Sequence, residues 1–150
     1  MKKLRIYVDT SVIGGCCDVE FSAPSQALVD LFSTGRAVLL ASDLLLLELD
    51  LAPEEVRTVM AQMPIESIER VAVNEEAERL KNRYLSEGVV GEGSANDAFH
   101  VALATVARAD MIVSWNFKHI VHYEKMRGFN AVNLKEGYGQ LEIHAPPEVI

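Results

Sequence analysis

The sequence holds two cysteines in 150 residues, Cys16 and Cys17, and they are adjacent. Neighbouring cysteines rarely bridge, and no second pair exists to build a disulfide framework or a thiolate zinc site. A reducing, cytoplasmic compartment is expected. Long apolar runs are missing as well. Met1-Lys2-Lys3 has the charge of a signal-peptide start, but Asp9 breaks the apolar stretch behind it before an h-region is complete. Leu44–Leu47, flanked by Asp43 and Glu48, is far too short to span a bilayer. Basic charge is scarce: 14 Lys and Arg against 22 Asp and Glu leave a net charge of −8. This excludes indiscriminate nucleic-acid binding, which depends on basic side chains neutralising phosphates. It leaves room for a nuclease in which metal ions neutralise phosphates locally. Internal repeats, low-complexity segments and charged tails are absent.

What is present reads as an ordinary globular chain, 49% hydrophobic and 24% charged. Its length suits one domain over residues 1–150 with a real core. Leu4–Val8 is β-branched and aromatic and predicts a strand, and Gly14-Gly15 predict a loop after it. Ser22-Ala23-Pro24 opens a helix with Ala27, Leu28, Leu31 and Phe32 on its apolar face, stopped by Gly35. Arg36–Ala41 predicts a buried strand. Ser42 caps a helix running to Asp50, Pro53 restarts one with acids in its first turn, and Pro64 ends it. Ile65–Val73 contains a strand. Asn74 caps a helix that Gly88 terminates, and Ser94 or Asn96 caps another reaching Arg108. Met111–Trp115 predicts a strand, Asn116–Gly128 a loop and short helix, and Ala131–Leu134 a last strand before an irregular tail around Pro146-Pro147. Strands alternating with helices imply an α/β fold with a mostly parallel sheet covered on both faces.

Three carboxylates stand out on this frame. Asp9 lies at the tip of the first strand, and in open α/β sheets ligands bind outside the carboxyl ends of the strands. Glu48 interrupts the apolar run Leu44–Leu49. Asp97 opens the helical stretch Asp97–Ala104. Ionised carboxylates in apolar settings need a positive partner, and a divalent cation is the simplest one for three. Each has a plainer explanation: a turn-forming Asp9, a solvated stripe at Glu48, and Asp97 complementing a helix N-terminus.

The motifs Asp9-Thr10-Ser11-Val12, Glu48 in a leucine-rich helix, Asn96-Asp97-Ala98-Phe99-His100-Val101-Ala102-Leu103-Ala104, and Ser114-Trp115-Asn116 after a late strand together resemble those of the PIN domain family. That family includes the VapC-type toxins of bacterial toxin–antitoxin pairs. The resemblance covers nearly the whole chain and preserves motif order. It implies a three-layer α/β/α fold and a Mg²⁺- or Mn²⁺-dependent ribonuclease with Asp9, Glu48, Asp97 and Asn116 at the metal. It further implies a small antitoxin partner and homodimerisation. Phosphodiester hydrolysis needs an activated water and a stabilised leaving oxygen, and hard divalent ions held by a few carboxylates supply both.

Asn116 departs from the pattern, since many relatives carry aspartate there. An amide oxygen ligates Mg²⁺ but brings no charge, so a second metal is expected to bind more weakly. Ser11, and with it Thr10, could hydrogen-bond a carboxylate or a phosphate, with turn duty as the alternative. Lys118 and His119 are candidate phosphate contacts against a solvated-loop reading. His100 shares a helical face with Asp97 and reads as a core histidine. His119 and His122 lack the partners of a zinc motif. Lys118, Lys125, Arg127 and Lys135 form the best candidate for a basic, phosphate-facing patch. The alternatives are a nuclease acting on DNA or structured nucleic-acid ends, and a binding module that keeps the fold without the activity.

Overall fold

The computed structural model describes residues 2–150. Five strands form one sheet: β1 (Leu4–Val8), β2 (Ala37–Ser42), β3 (Ile68–Val71), β4 (Met111–Val113) and β5 (Glu142–His144). Their order is β3-β2-β1-β4-β5, and every neighbouring pair is parallel. The helices are α1 (Thr10–Gly15), α2 (Ser22–Ser33), α3 (Asp43–Asp50), α4 (Glu54–Ala61), α5 (Glu75–Ser86), α6 (Ala95–Val106) and α7 (Tyr123–Lys135), with short 3₁₀ turns between some of them.

Alternating strand residues feed two cores. Ile6, Val8, Leu39, Ala41 and Val113 pack with Val12, Ile13, Leu28, Phe32 and Leu45 from α1, α2 and α3. Tyr7, Leu40, Ile112 and Ile143 pack with Leu80, Tyr84, Val101 and Phe129 from α5, α6 and α7. The result is the three-layer α/β/α architecture expected of a parallel sheet whose strands are apolar on both faces.

The strand order positions the site. The chain builds outward from β1 to β2 and β3, then crosses back to place β4 on the other side of β1. The two directions part between β1 and β4. At such a switch point the loops leaving the two carboxyl ends separate and open a crevice. Asp9 leaves β1 there, and Ser114-Trp115-Asn116 leaves β4 there.

Most boundaries follow the local chemistry. The Ser42 side chain accepts from Leu45 N–H at the start of α3, and Asn74 accepts from Ala77 N–H at the start of α5. Gly35 and Gly88 take positive φ after their helices. Three expectations fail. The segment after Asp9 is helix α1, not a glycine loop, because Gly15 serves close packing: a Cβ there would lie 2.5 Å from Ser25 Oγ. Ala131–Leu134 belongs to α7, where Phe129, Val132 and Asn133 bury one helical face. The last strand is instead Glu142–His144, a three-residue edge strand in the tail expected to be irregular.

Candidate active site

Asp9 is 5% exposed at the end of β1 and precedes α1 with extended backbone. Its carboxylate does not cap the helix. The Ser11 hydroxyl donates to Oδ1 at 2.5 Å, and the Ser114 hydroxyl donates to Oδ2 at 2.7 Å. Both serines also accept from the loop after β4: Ser11 from Trp115 N–H and Ser114 from Asn116 N–H, each at 2.9 Å. Trp115 is fixed further by donation of its indole N–H to Ser25 at 2.8 Å and by its packing on Phe21. Among the described residues no Lys or Arg pairs with Asp9. Burial pushes its pKa up; His100, Ser11 and Ser114 pull it back, and Asp97 adds to the rise.

Glu48 belongs to a second network. Its Oε1 accepts from Thr10 at 2.5 Å and faces His100 Nε2 at 2.7 Å. His100 is 2% exposed, and its Nδ1 lies 2.6 Å from the Tyr7 hydroxyl, which lies 2.7 Å from Ser42 Oγ. A carboxylate only accepts, so Nε2 carries the proton of the Glu48 bond; in the neutral ring Nδ1 then accepts from Tyr7. Burial alone would raise the Glu48 pKa, but the bonds from His100 and Thr10 outweigh it and hold the carboxyl below its usual range. Burial raises the Tyr7 phenol, so it stays protonated.

Asp97 sits in the first turn of α6, three residues before His100, and is near enough to Asp9 to oppose its ionisation. The Asn116 side-chain amide oxygen, Oδ1, accepts from His119 N–H at 2.9 Å and closes the turn after β4. Lys118 is exposed beside Phe117, whose ring is 50% exposed and lies edge-on to Trp115. The wider basic patch is less uniform than its sequence suggests: Lys135 pairs with Glu87, and Arg127 stacks on Tyr123. The structure thus joins Asp9, Ser11, Ser114 and Asn116 in one network and Thr10, Glu48 and His100 in another. Consecutive residues of β1 and α1, and one face of α6, connect the two.

No family model matches the sequence, and no curated protein sequence matches it significantly. Solved structures do match the fold. One is a chain of VapBC2 from Rickettsia felis, determined bound to a DNA fragment from their promoter, with a TM-score of 0.58 at 11% identity over 95% of this chain and 98% of that one. Another is from FitAcB of Neisseria gonorrhoeae, with a TM-score of 0.57 at 14% identity over 96% and 99%. A third is from FitAB bound to the IR36 DNA fragment, with a TM-score of 0.56 at 15% identity over 94% of each chain. The chain shares the PIN-like three-layer fold of these structures.

The candidate side chains Asp9, Glu48, Asp97 and Asn116 offer oxygen atoms, the donor type that suits a hard cation. The buried Asp9 carboxylate, without a basic partner, suits one as well. Among the described residues no group of three or more His, Cys, Asp or Glu is placed to hold a metal ion by itself. Mg²⁺ needs only one or two protein carboxylates and keeps several waters. Sequence reasoning missed the polar roles of Tyr7 and His100 and the contact of the Ser42 cap with Tyr7. A tyrosine on a strand buried from both faces was the available signal, because a buried phenol needs a partner.

Proposed function

We propose that the chain is a metal-dependent nuclease that hydrolyses RNA phosphodiester bonds as the toxin of a toxin–antitoxin pair. The observation that carries this reading is the buried Asp9 carboxylate at the β1–β4 switch point, held by two hydroxyls and, among the described residues, paired with no Lys or Arg, beside Asp97 and the Glu48 network. Asp9, Glu48 and Asp97 would hold a Mg²⁺ or Mn²⁺ ion directly or through its waters, with Asn116 assisting. A divalent ion bound there would supply charge to polarise the phosphate and to make water more acidic. Ser11 and Ser114 keep Asp9 oriented, and a carboxylate of the cluster takes the proton of the attacking water. No covalent enzyme intermediate is required. Lys118 and His119, in the loop that follows β4, contact phosphate, and the exposed Phe117 ring offers an unpaired base a stacking surface. Leu47 and Leu51, exposed on and just after α3 near Glu48, offer an apolar seat for a small antitoxin. The VapBC2 and FitAB complexes support a partner of that kind.

The test incubates the purified chain with single-stranded RNA and DNA oligonucleotides of matched sequence, with Mg²⁺, with Mn²⁺ and with chelator, alongside Asp9→Asn. RNA cleavage that needs metal and Asp9 supports the reading. Equal cutting of DNA moves the assignment to a general nuclease. RNA binding without metal-dependent cutting makes the chain a binding module.

A further inference from the structure

Glu48 has two carboxylate oxygens and uses them differently. Oε1 takes both protein contacts, Thr10 at 2.5 Å and His100 at 2.7 Å, and Oε2 receives no hydrogen bond from the described residues. A carboxylate clamped through one oxygen presents the other in a fixed direction. The clamp is itself braced. His100 leans on the Tyr7 hydroxyl, Tyr7 on Ser42, and Ser42 caps α3, the helix that carries Glu48. The circuit Ser42–Tyr7–His100–Glu48 is therefore closed through α3. It also ties together the elements bearing all three carboxylates. Tyr7 lies two residues before Asp9, and His100 lies three residues after Asp97.

Resting on the metal-dependent reading above, we propose that His100, oriented by Tyr7, is a positioning residue that aims Glu48 Oε2 at a hydrated divalent cation and sets the spacing of Asp9, Glu48 and Asp97. His100 is not itself a ligand: both ring nitrogens face protein partners. Outer partners that orient a metal's ligands change affinity by about 10- to 100-fold when removed.

Calorimetric Mn²⁺ titration of the full chain tests this, with thermal melts in parallel. His100→Leu weakens Mn²⁺ binding about tenfold or more. His100→Gln restores most of that loss, because its amide N–H still donates to Glu48. In a Glu48→Gln background His100→Leu costs no further affinity, since coupled residues are non-additive. A histidine that serves packing alone would lower the melting temperature and leave the Mn²⁺ affinity of the folded protein unchanged. Wild-type affinity in His100→Leu, a His100→Gln variant no better than His100→Leu, or additive losses would each overturn the proposal. If His100→Leu does not fold, Tyr7→Phe carries the test. It keeps the imidazole but frees its orientation, and it weakens Mn²⁺ binding only while Glu48 is present; unchanged affinity overturns the proposal. Failure of Mn²⁺ to bind the wild type also overturns it. A wild type that binds Mn²⁺ and cuts no RNA defeats the nuclease reading instead and leaves this inference standing.

Discussion

The Ser114 hydroxyl donates to Asp9 Oδ2 at 2.7 Å and ties the end of β4 to the end of β1. Ser114 Oγ in turn accepts from Asn116 N–H, so one side chain fixes both the carboxylate and the loop after β4. Ser114→Ala removes both contacts in a fully buried setting. The expected cost is about 1–3 kcal/mol of unfolding free energy, the usual penalty for leaving a buried polar group unsatisfied. Urea unfolding measures it, and a loss below about 0.5 kcal/mol would show that water replaces the hydroxyl.

Asp9 also makes stability depend on pH in an unusual direction. Its folded pKa is raised by burial, so its contribution to stability is full below the unfolded value and is lost as pH rises through the folded one. Near neutral pH the metal-free protein therefore carries a penalty that Asp9→Asn removes. The variant is expected to melt higher than wild type at pH 7.5, with the gap closing towards pH 3, and to lose metal-dependent RNA cleavage. Glu48 works oppositely. Its lowered pKa contributes stability above the unfolded value that disappears as pH falls through the folded one. Melting curves of Asp9→Asn, Glu48→Gln and wild type across that range separate the two signs.

Gly15 is where the helix after Asp9 meets the loop after β4. A Cβ there would stand 2.5 Å from Ser25 Oγ and 2.8 Å from Trp115 Nε1, the two atoms of the bond that anchors Trp115. Gly15→Ala is expected to cost about 1–3 kcal/mol, as overpacking does, and to weaken Mn²⁺ binding by loosening Trp115 from Ser11. Gly14→Ala, with no neighbour within 4 Å of its Cβ, is the matched control. If both variants behave alike, the close approach has no consequence.

Such contacts explain what could and could not be read along the chain. Asp9 was legible because an apolar strand ending in an acid has a known place in α/β folds. The α3 and α5 starts were legible because Ser42 and Asn74 are local caps. Gly15 misled because the same residue type breaks helices and permits close packing, and only the tertiary neighbours decide. Ala131–Leu134 misled because four residues were weighed alone; the span from Phe129 to Asn133 shows the helical period. Glu142–His144 pairs with β4 yet has one buried residue, too little pattern to mark a strand. The partners of His100 lie 52 and 93 residues away, a pairing that no local window reveals.

Asn116→Asp tests how this chain departs from its resemblance to the family. The Asn116 Oδ1 accepts from His119 N–H at 2.9 Å, and a carboxylate oxygen can accept the same bond. The turn after β4 therefore survives, and the substitution adds charge with little change of shape. A fourth carboxylate beside Asp9 attracts a divalent ion and repels its neighbours. Mn²⁺ affinity is expected to rise about tenfold, the effect of roughly 1.4 kcal/mol, while the metal-free protein melts lower. If metal occupancy limits turnover, RNA cleavage at sub-saturating Mg²⁺ rises with it. If Lys118 and His119 hold the phosphate, the new charge beside them raises KM at the same time. Calorimetry and cleavage kinetics on one preparation read the two effects separately. Unchanged Mn²⁺ affinity would place the 116 side chain away from the ion, with its turn-closing bond to His119 as its whole role.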